Sequence, residues 1–171
     1  AVKDVGALML WDCSHAGGAI ALDFDAAGID LAVGCTYKYG NAGPGSPAWL
    51  FVRRELQEEL NVPIQGWFAQ RDQFVMGPEF EKATDMRAFQ IASPSIIGIR
   101  GVETSYSMIE EAGIEAIEHK ASLGTELMIA LVDAWLIPLG ASLGTPREAS
   151  HRGGHIIIHH PEAAAIAHGL R

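Results

Sequence analysis

The sequence predicts an α/β chain: part of a larger domain built on a mainly parallel sheet, followed by connecting helices and the start of a smaller α+β domain. Three observations carry that expectation. Short, nearly continuous apolar runs at 7–11 (ALMLW), 31–36 (LAVGCT) and 47–52 (PAWLFV) have the pattern of strands covered on both faces. From Ile96 to Trp135 apolar residues recur at helical spacing, and near the end HIIIHH (155–160) reads as a strand before a helical PEAAAIAHGL.

The elements follow in order. Between the first two strands lies the glycine-rich CSHAGGAIALDFDAAGID, and after Arg54 a short helix ELQEEL (55–60) stops before Pro63. From there to Ser95 aromatics, glycines and prolines are scattered without a period. A loop of that length in a compact domain is more often functional than idle. Ile99, Val102, Tyr106 and Ile109, then Ile114, Ile117, Leu123, Leu127 and Leu131, form helical stripes opposite Glu110, Glu111, Glu115 and Glu118, with Gly113 expected to split them into two helices. Residues 137–154 are turn-rich, and Pro161 suits the first turn of the final helix. The expected division is 1–95 in the large domain, 96–136 as connecting helices and 137–171 as the start of the small domain.

Composition narrows the function. The chain has 171 residues, 49% of them hydrophobic, enough for a real core, and its formal net charge of -9 offers no basic surface for gripping a phosphodiester backbone. Nucleic acid is not an expected partner. No uninterrupted apolar run approaches the roughly 20 residues that cross a bilayer, so no membrane association is expected. Cys13 and Cys35 sit inside apolar runs, where reduced thiols pack as small hydrophobes, and a cytoplasmic setting follows. The chain opens on AVKDVGALML and closes on AIAHGLR, within element patterns, which suggests a piece of a longer polypeptide.

The chemistry concentrates around Lys38. If the first two strands are parallel, Asp12 and the Thr36–Tyr37–Lys38 run lie at the same carboxyl end, where open α/β sheets bind ligands, with His15 close by. A partly desolvated lysine can form a Schiff base with a carbonyl, and a carboxylate can keep a ring nitrogen protonated. Pyridoxal phosphate needs both. Tyr37, Ser46 and the turn NAGPGS could supply phosphate donors. Each feature alone has a plainer reading: a lysine after a strand is commonly a solvated charge, and a strand-end Asp is commonly a turn cap. DCSH lacks two further ligands at metal spacing, so no metal is expected.

LWDCSHAGGAIALDFDAAGIDLAVGCTYKYGNAGPGSPAWLFV, followed by PIQGWFAQRDQFVM and FQIASPSI, resembles the kynureninase family, pyridoxal-phosphate hydrolases of tryptophan catabolism. The resemblance is specific from Leu10 to Ile96 and weaker from there to RGGHIII. It implies an aminotransferase-like (fold type I) large domain, a homodimer, and hydrolysis of L-kynurenine or 3-hydroxykynurenine. It also implies that Lys38 carries the cofactor aldehyde and shuttles protons, that Asp12 pairs with the pyridine nitrogen, and that His15 lines the pocket. Tyr37 would bind the phosphate and assist proton transfer. Trp67 and Ser93 would reach the phosphate of the neighbouring subunit; Ser93 departs from the family's commoner Asn or Thr but keeps a hydroxyl. The family's ring-stacking aromatic and its substrate-carboxylate arginine have no counterpart here, and Arg152 does not match the latter's motif. Two other readings share these residues: a cysteine desulfurase-like lyase, against which stand Tyr37 directly before the lysine and GWF, and an incomplete, non-catalytic piece.

Overall fold

The computed structural model describes residues 2–171, which fall into two compact units: residues 2–18 with 22–109, and residues 19–21 with 110–171. The first unit is built on a three-stranded sheet in the order β1 (Leu10–Asp12), β2 (Leu31–Gly34), β3 (Trp49–Val52). β1 and β2 run parallel, with Leu10 opposite Leu31 and Asp12 opposite Val33. β3 returns antiparallel, pairing Leu31 with Val52 and Gly34 with Trp49. The part of the sheet that this chain contributes is mixed, one pairing parallel and one antiparallel. The connection from residue 35 to 48 holds turns and no helix, so it folds back on itself instead of crossing over as a parallel pairing requires.

Burial is uneven across this sheet. In β2 partly buried and buried residues alternate, with Ala32 fully enclosed, whereas all three residues of β1 are exposed. The apolar run at 7–11 forms β1, the outer of the three strands that this chain contributes. The core of this unit is made largely of small side chains, Ala32, Ala69, Ala83 and Ala88, with Val52 and Leu56. Phe24 adds an aromatic cluster, 4.8 Å from Phe51 and 5.9 Å from Trp49 between ring centroids.

The helix expected at 55–60 is α1, Arg54–Gln57. Lys82 reaches its carboxyl end and donates to the carbonyls of Glu58 (2.6 Å), Leu60 (2.8 Å) and Gln57 (3.3 Å), where a cation also favours the helix dipole. The irregular stretch after it contains two single 3-10 turns, Trp67–Ala69 and Met86–Phe89. The long helical pattern divides as its spacing predicts, into α2 (Ile96–Ala112) and α3 (Ile114–Leu131), with Gly113 between them at φ 81, a conformation that favours glycine.

In the second unit α3 continues through a π-turn (Val132–Leu136) and a 3-10 turn (Ile137–Leu139) into a two-stranded antiparallel ribbon, β4 (Ser142–Leu143) with β5 (Ile158–His159), before α4 (Ala163–Gly169). The Arg152 guanidinium is almost fully enclosed: it donates to Thr125 Oγ1 at 3.0 Å, to Glu126 Oε1 at 3.3 Å and to the Arg147 carbonyl. Arg147 in turn grips Asp133 with two 2.8 Å hydrogen bonds. The helical stretch Ile114–Leu139 is long and apolar enough, by length and composition only, to cross a bilayer. Glu126 and Asp133 interrupt this stretch, so it does not stand out in the sequence as an unbroken apolar run.

Candidate functional site

Parallel pairing of β1 with β2 brings Asp12 and the segment after Gly34 to one end of the sheet. Beyond β1 the chain turns tightly. Cys13 N–H continues the ladder to the Val33 carbonyl (2.7 Å), and the Cys13 carbonyl accepts from Ala16 and Gly17. Asp12 Oδ1 accepts the Ser14 N–H at 2.9 Å, an Asx-type turn that orients the carboxylate. His15 follows on this turn.

Beyond β2, Thr36 is buried and anchors the next loop, donating to the Pro47 carbonyl at 2.7 Å with Ser46 Oγ also 2.7 Å away. The Thr36 carbonyl accepts from Ala42, and the Lys38 carbonyl accepts from Asn41, both at 3.0 Å. Asn41 sits at φ 56, held by its own side-chain bond to the Tyr39 carbonyl. Lys38 thus rides on a closed turn rather than on a loose strand end.

The two turns meet at Lys38 Nζ, which lies 3.1 Å from His15 Nε2. With the ammonium donating, Nε2 accepts and the imidazole proton resides on Nδ1. The ammonium also stands 5.8 Å from the centre of the Tyr37 ring, and Tyr37 itself is exposed. The Asp12 carboxyl is held below the usual carboxylate range, first by the hydrogen bonds from Ser14 and then by the nearby Lys38 ammonium, with a smaller electrostatic contribution from His15. Asp12 is therefore an anion at neutral pH. The Cys13 thiol next to it is pushed up by burial and by the Asp12 charge, which keeps it protonated.

Trp67 and Ser93 belong to a second grouping. Gly66 packs so tightly against the Ile91 backbone that a Cβ there would stand 1.7 Å from the Ile91 carbonyl oxygen, and this fixes the GWF turn against the segment leading to Ser93. Trp67 packs edge-on to Phe68, with 4.5 Å between centroids, and keeps nearly half its surface exposed. Ser93 is exposed just ahead of α2. That helix opens with Ser95 Oγ accepting the Gly98 N–H (3.2 Å), and it meets the loop after Lys38 through Gly98 against Pro47 and Gly101 against the Ala42 carbonyl. The ASPS segment and the lysine loop thus share one buttress. Sequence reasoning missed this role of α2: the glycines at 98 and 101, three apart on one helix face, were its only sign.

Solved structures of low sequence identity share this architecture. The apo structure of a cysteine desulfurase from Thermococcus onnurineus NA1 matches with a TM-score of 0.77 at 20% identity, covering 98% of this chain and 42% of that one. An alanine–glyoxylate aminotransferase from Nostoc sp. matches with a TM-score of 0.62 at 17% identity, covering 98% and 43%. The fold is that of the fold type I pyridoxal-phosphate enzymes.

Sequence similarity then selects within that class. Residues 117–171 match the family described as the kynureninase C-terminal domain. A kynureninase from Pseudomonas fluorescens is 35% identical over 167 residues, 98% of this chain and 40% of that protein, and one from Burkholderia mallei is 36% identical over 169 residues, 99% and 41%. Along nearly its whole length the chain is similar to kynureninases, and it spans about two fifths of the length of these relatives.

The cofactor of this family is pyridoxal 5'-phosphate, and the residues present suit it. An anionic carboxylate can pair with a protonated pyridine nitrogen, and a primary amine stands at the end of the neighbouring parallel strand beside an imidazole that can exchange its proton.

Proposed function

We propose that the protein to which this chain belongs hydrolyses L-kynurenine at its Cβ–Cγ bond, adding one water to give anthranilate and L-alanine, in tryptophan catabolism. The reading extends to 3-hydroxykynurenine, which would give 3-hydroxyanthranilate. The observation that carries it is the Asp12–His15–Lys38 cluster at the ends of two parallel strands, in a chain at least 35% identical to kynureninases along nearly its whole length.

Pyridoxal phosphate, when bound, supplies a protonated ring that accepts electrons from a substrate carbon. Lys38 is the amine that binds the cofactor aldehyde and, once free, takes the substrate Cα proton. His15 Nε2, at 3.1 Å, holds or receives that amine's proton. Asp12 keeps the ring nitrogen protonated, which its lowered pKa favours, because the carboxylate itself does not take the proton at neutral pH. Tyr37 offers an accessible hydroxyl to the phosphate and to proton transfer at the substrate. Trp67, through its indole N–H, and Ser93, through its hydroxyl, are donors for the phosphate in the neighbouring subunit of a homodimer, which their exposure in a single chain suits. The substrate is small, neither nucleic acid nor membrane takes part, and the setting is cytoplasmic. Residues 1–95 act as the cofactor-binding portion, 96–136 as the connecting helices and 137–171 as the start of the small domain.

The test is the absorbance spectrum of the full-length protein with and without kynurenine, read with anthranilate fluorescence. A visible cofactor band that changes on adding kynurenine, with anthranilate released, is expected. A cofactor-bound protein that leaves kynurenine untouched would refute the substrate assignment.

A further inference from the structure

We infer that Tyr106 is a positioning residue for Lys38: its ring backs the turn that carries the lysine and, with Gly18 on the opposite side, fixes the amine against His15. The inference rests on the proposed role of Lys38. The turn has no slack on either side. At Gly40, two residues after the lysine, a Cβ would stand 2.6 Å from the Thr36 carbonyl oxygen, 2.8 Å from Tyr106 Cε2 and 3.0 Å from the Tyr106 hydroxyl. On the other side Gly18, at φ 84, has its Cβ position 3.0 Å from the Gly40 nitrogen and from the Tyr39 carbonyl group. The Tyr39–Gly40 backbone therefore runs between the loop that carries His15 and helix α2. His15 also meets the Tyr39 ring edge-on at 6.4 Å.

Displacing this turn displaces Lys38 Nζ relative to His15 Nε2, and at 3.1 Å the hydrogen bond has little tolerance. Tyr106 acts by shape. Its hydroxyl is buried without a hydrogen-bond partner, and burial, with a smaller contribution from Cys35, pushes its pKa up, so the phenol stays neutral. The charged and titratable groups around the lysine are His15 and Asp12 on the β1 side and Tyr37 and Tyr39 on its own turn, with Cys35 and Tyr106 behind. Removing the ring leaves a void behind Gly40 while every one of the other groups remains.

The experiment uses full-length protein loaded with pyridoxal phosphate and follows its lysine-dependent visible band as a function of pH, together with cofactor affinity by equilibrium dialysis. Tyr106→Phe keeps the midpoint of the wild-type protein. Tyr106→Ala moves it by about half a unit or more and weakens cofactor retention several-fold, because the amine loses its fixed partner. Tyr106→Leu, which retains apolar volume without the flat ring, gives a smaller shift and serves where the alanine variant does not fold. Val52→Ala removes buried volume beside Leu31, at the far end of β2, and lowers stability with the midpoint unmoved. An unmoved midpoint in the folded, cofactor-bound Ala or Leu variant overturns the inference while leaving the role of Lys38 standing. A visible band that survives in Lys38→Ala overturns that role and the inference with it.

Discussion

Gly66→Ala tests how the GWF turn is tied to the segment bearing Ser93. Gly66 has φ -123, which alanine adopts freely, so backbone strain plays no part. The added methyl would lie 1.7 Å from the Ile91 carbonyl oxygen and 2.5 and 2.6 Å from the Ile91 C and Cα, whereas real Cβ contacts essentially never fall below 3.0 Å. The two backbones must therefore part by more than about 1 Å, and no flexible side chain stands between them to absorb it. Forced overpacking of this kind costs about 1–3 kcal/mol, and at roughly 2–4 °C per kcal/mol for a domain of this size the melting temperature falls correspondingly. Gly77→Ala, in the same irregular stretch with nothing within 4 Å of its Cβ position, is the control and stays within about 0.5 kcal/mol of wild type. Thermal and urea unfolding of both variants in the full-length protein, with cofactor retention measured alongside, is the assay. If Gly66→Ala unfolds with Gly77→Ala and the wild type, the close contact does not tie Trp67 to Ser93 and the reasoning fails.

Two further outcomes follow from the same geometry. Lys82→Met removes a cation from three carbonyls at the end of α1 and lowers stability by about 1–3 kcal/mol, read by urea denaturation. Asp133 has its pKa lowered by the hydrogen bonds from Arg147 and then by its charge, so the pair's contribution is present above the unfolded carboxyl's ordinary pKa and fades as pH falls through the lower folded one. Wild-type melting temperature therefore drops more steeply than that of Asp133→Asn below roughly pH 4; parallel curves would count against the pair.

The sequence carried the helices clearly. The stripes from Ile99 to Ile109 and from Ile114 to Leu131, broken at Gly113, appear as α2 and α3 because a 3.6-residue period and a left-handed glycine are local properties. The direction of β3 was not legible: LAVGCT and PAWLFV look alike whichever way they pair, and only the helix-free link between them decides. At the site, residue types marked Asp12, His15 and Lys38, and the structure adds that the histidine touches the amine. The packing of Tyr106 on Gly40 and of Gly66 on Ile91 joins positions 66 and 25 residues apart, and no local pattern announces such contacts.

Lys38 is the residue on which the proposed chemistry most directly depends. Full-length protein is purified with pyridoxal phosphate, and its visible spectrum is compared with that of Lys38→Ala after dialysis. The wild type is expected to keep a visible band that borohydride converts to a cofactor covalently fixed on the peptide containing Lys38, while the variant shows neither. A band and a fixed cofactor that persist in Lys38→Ala, or that map to another lysine, would contradict it.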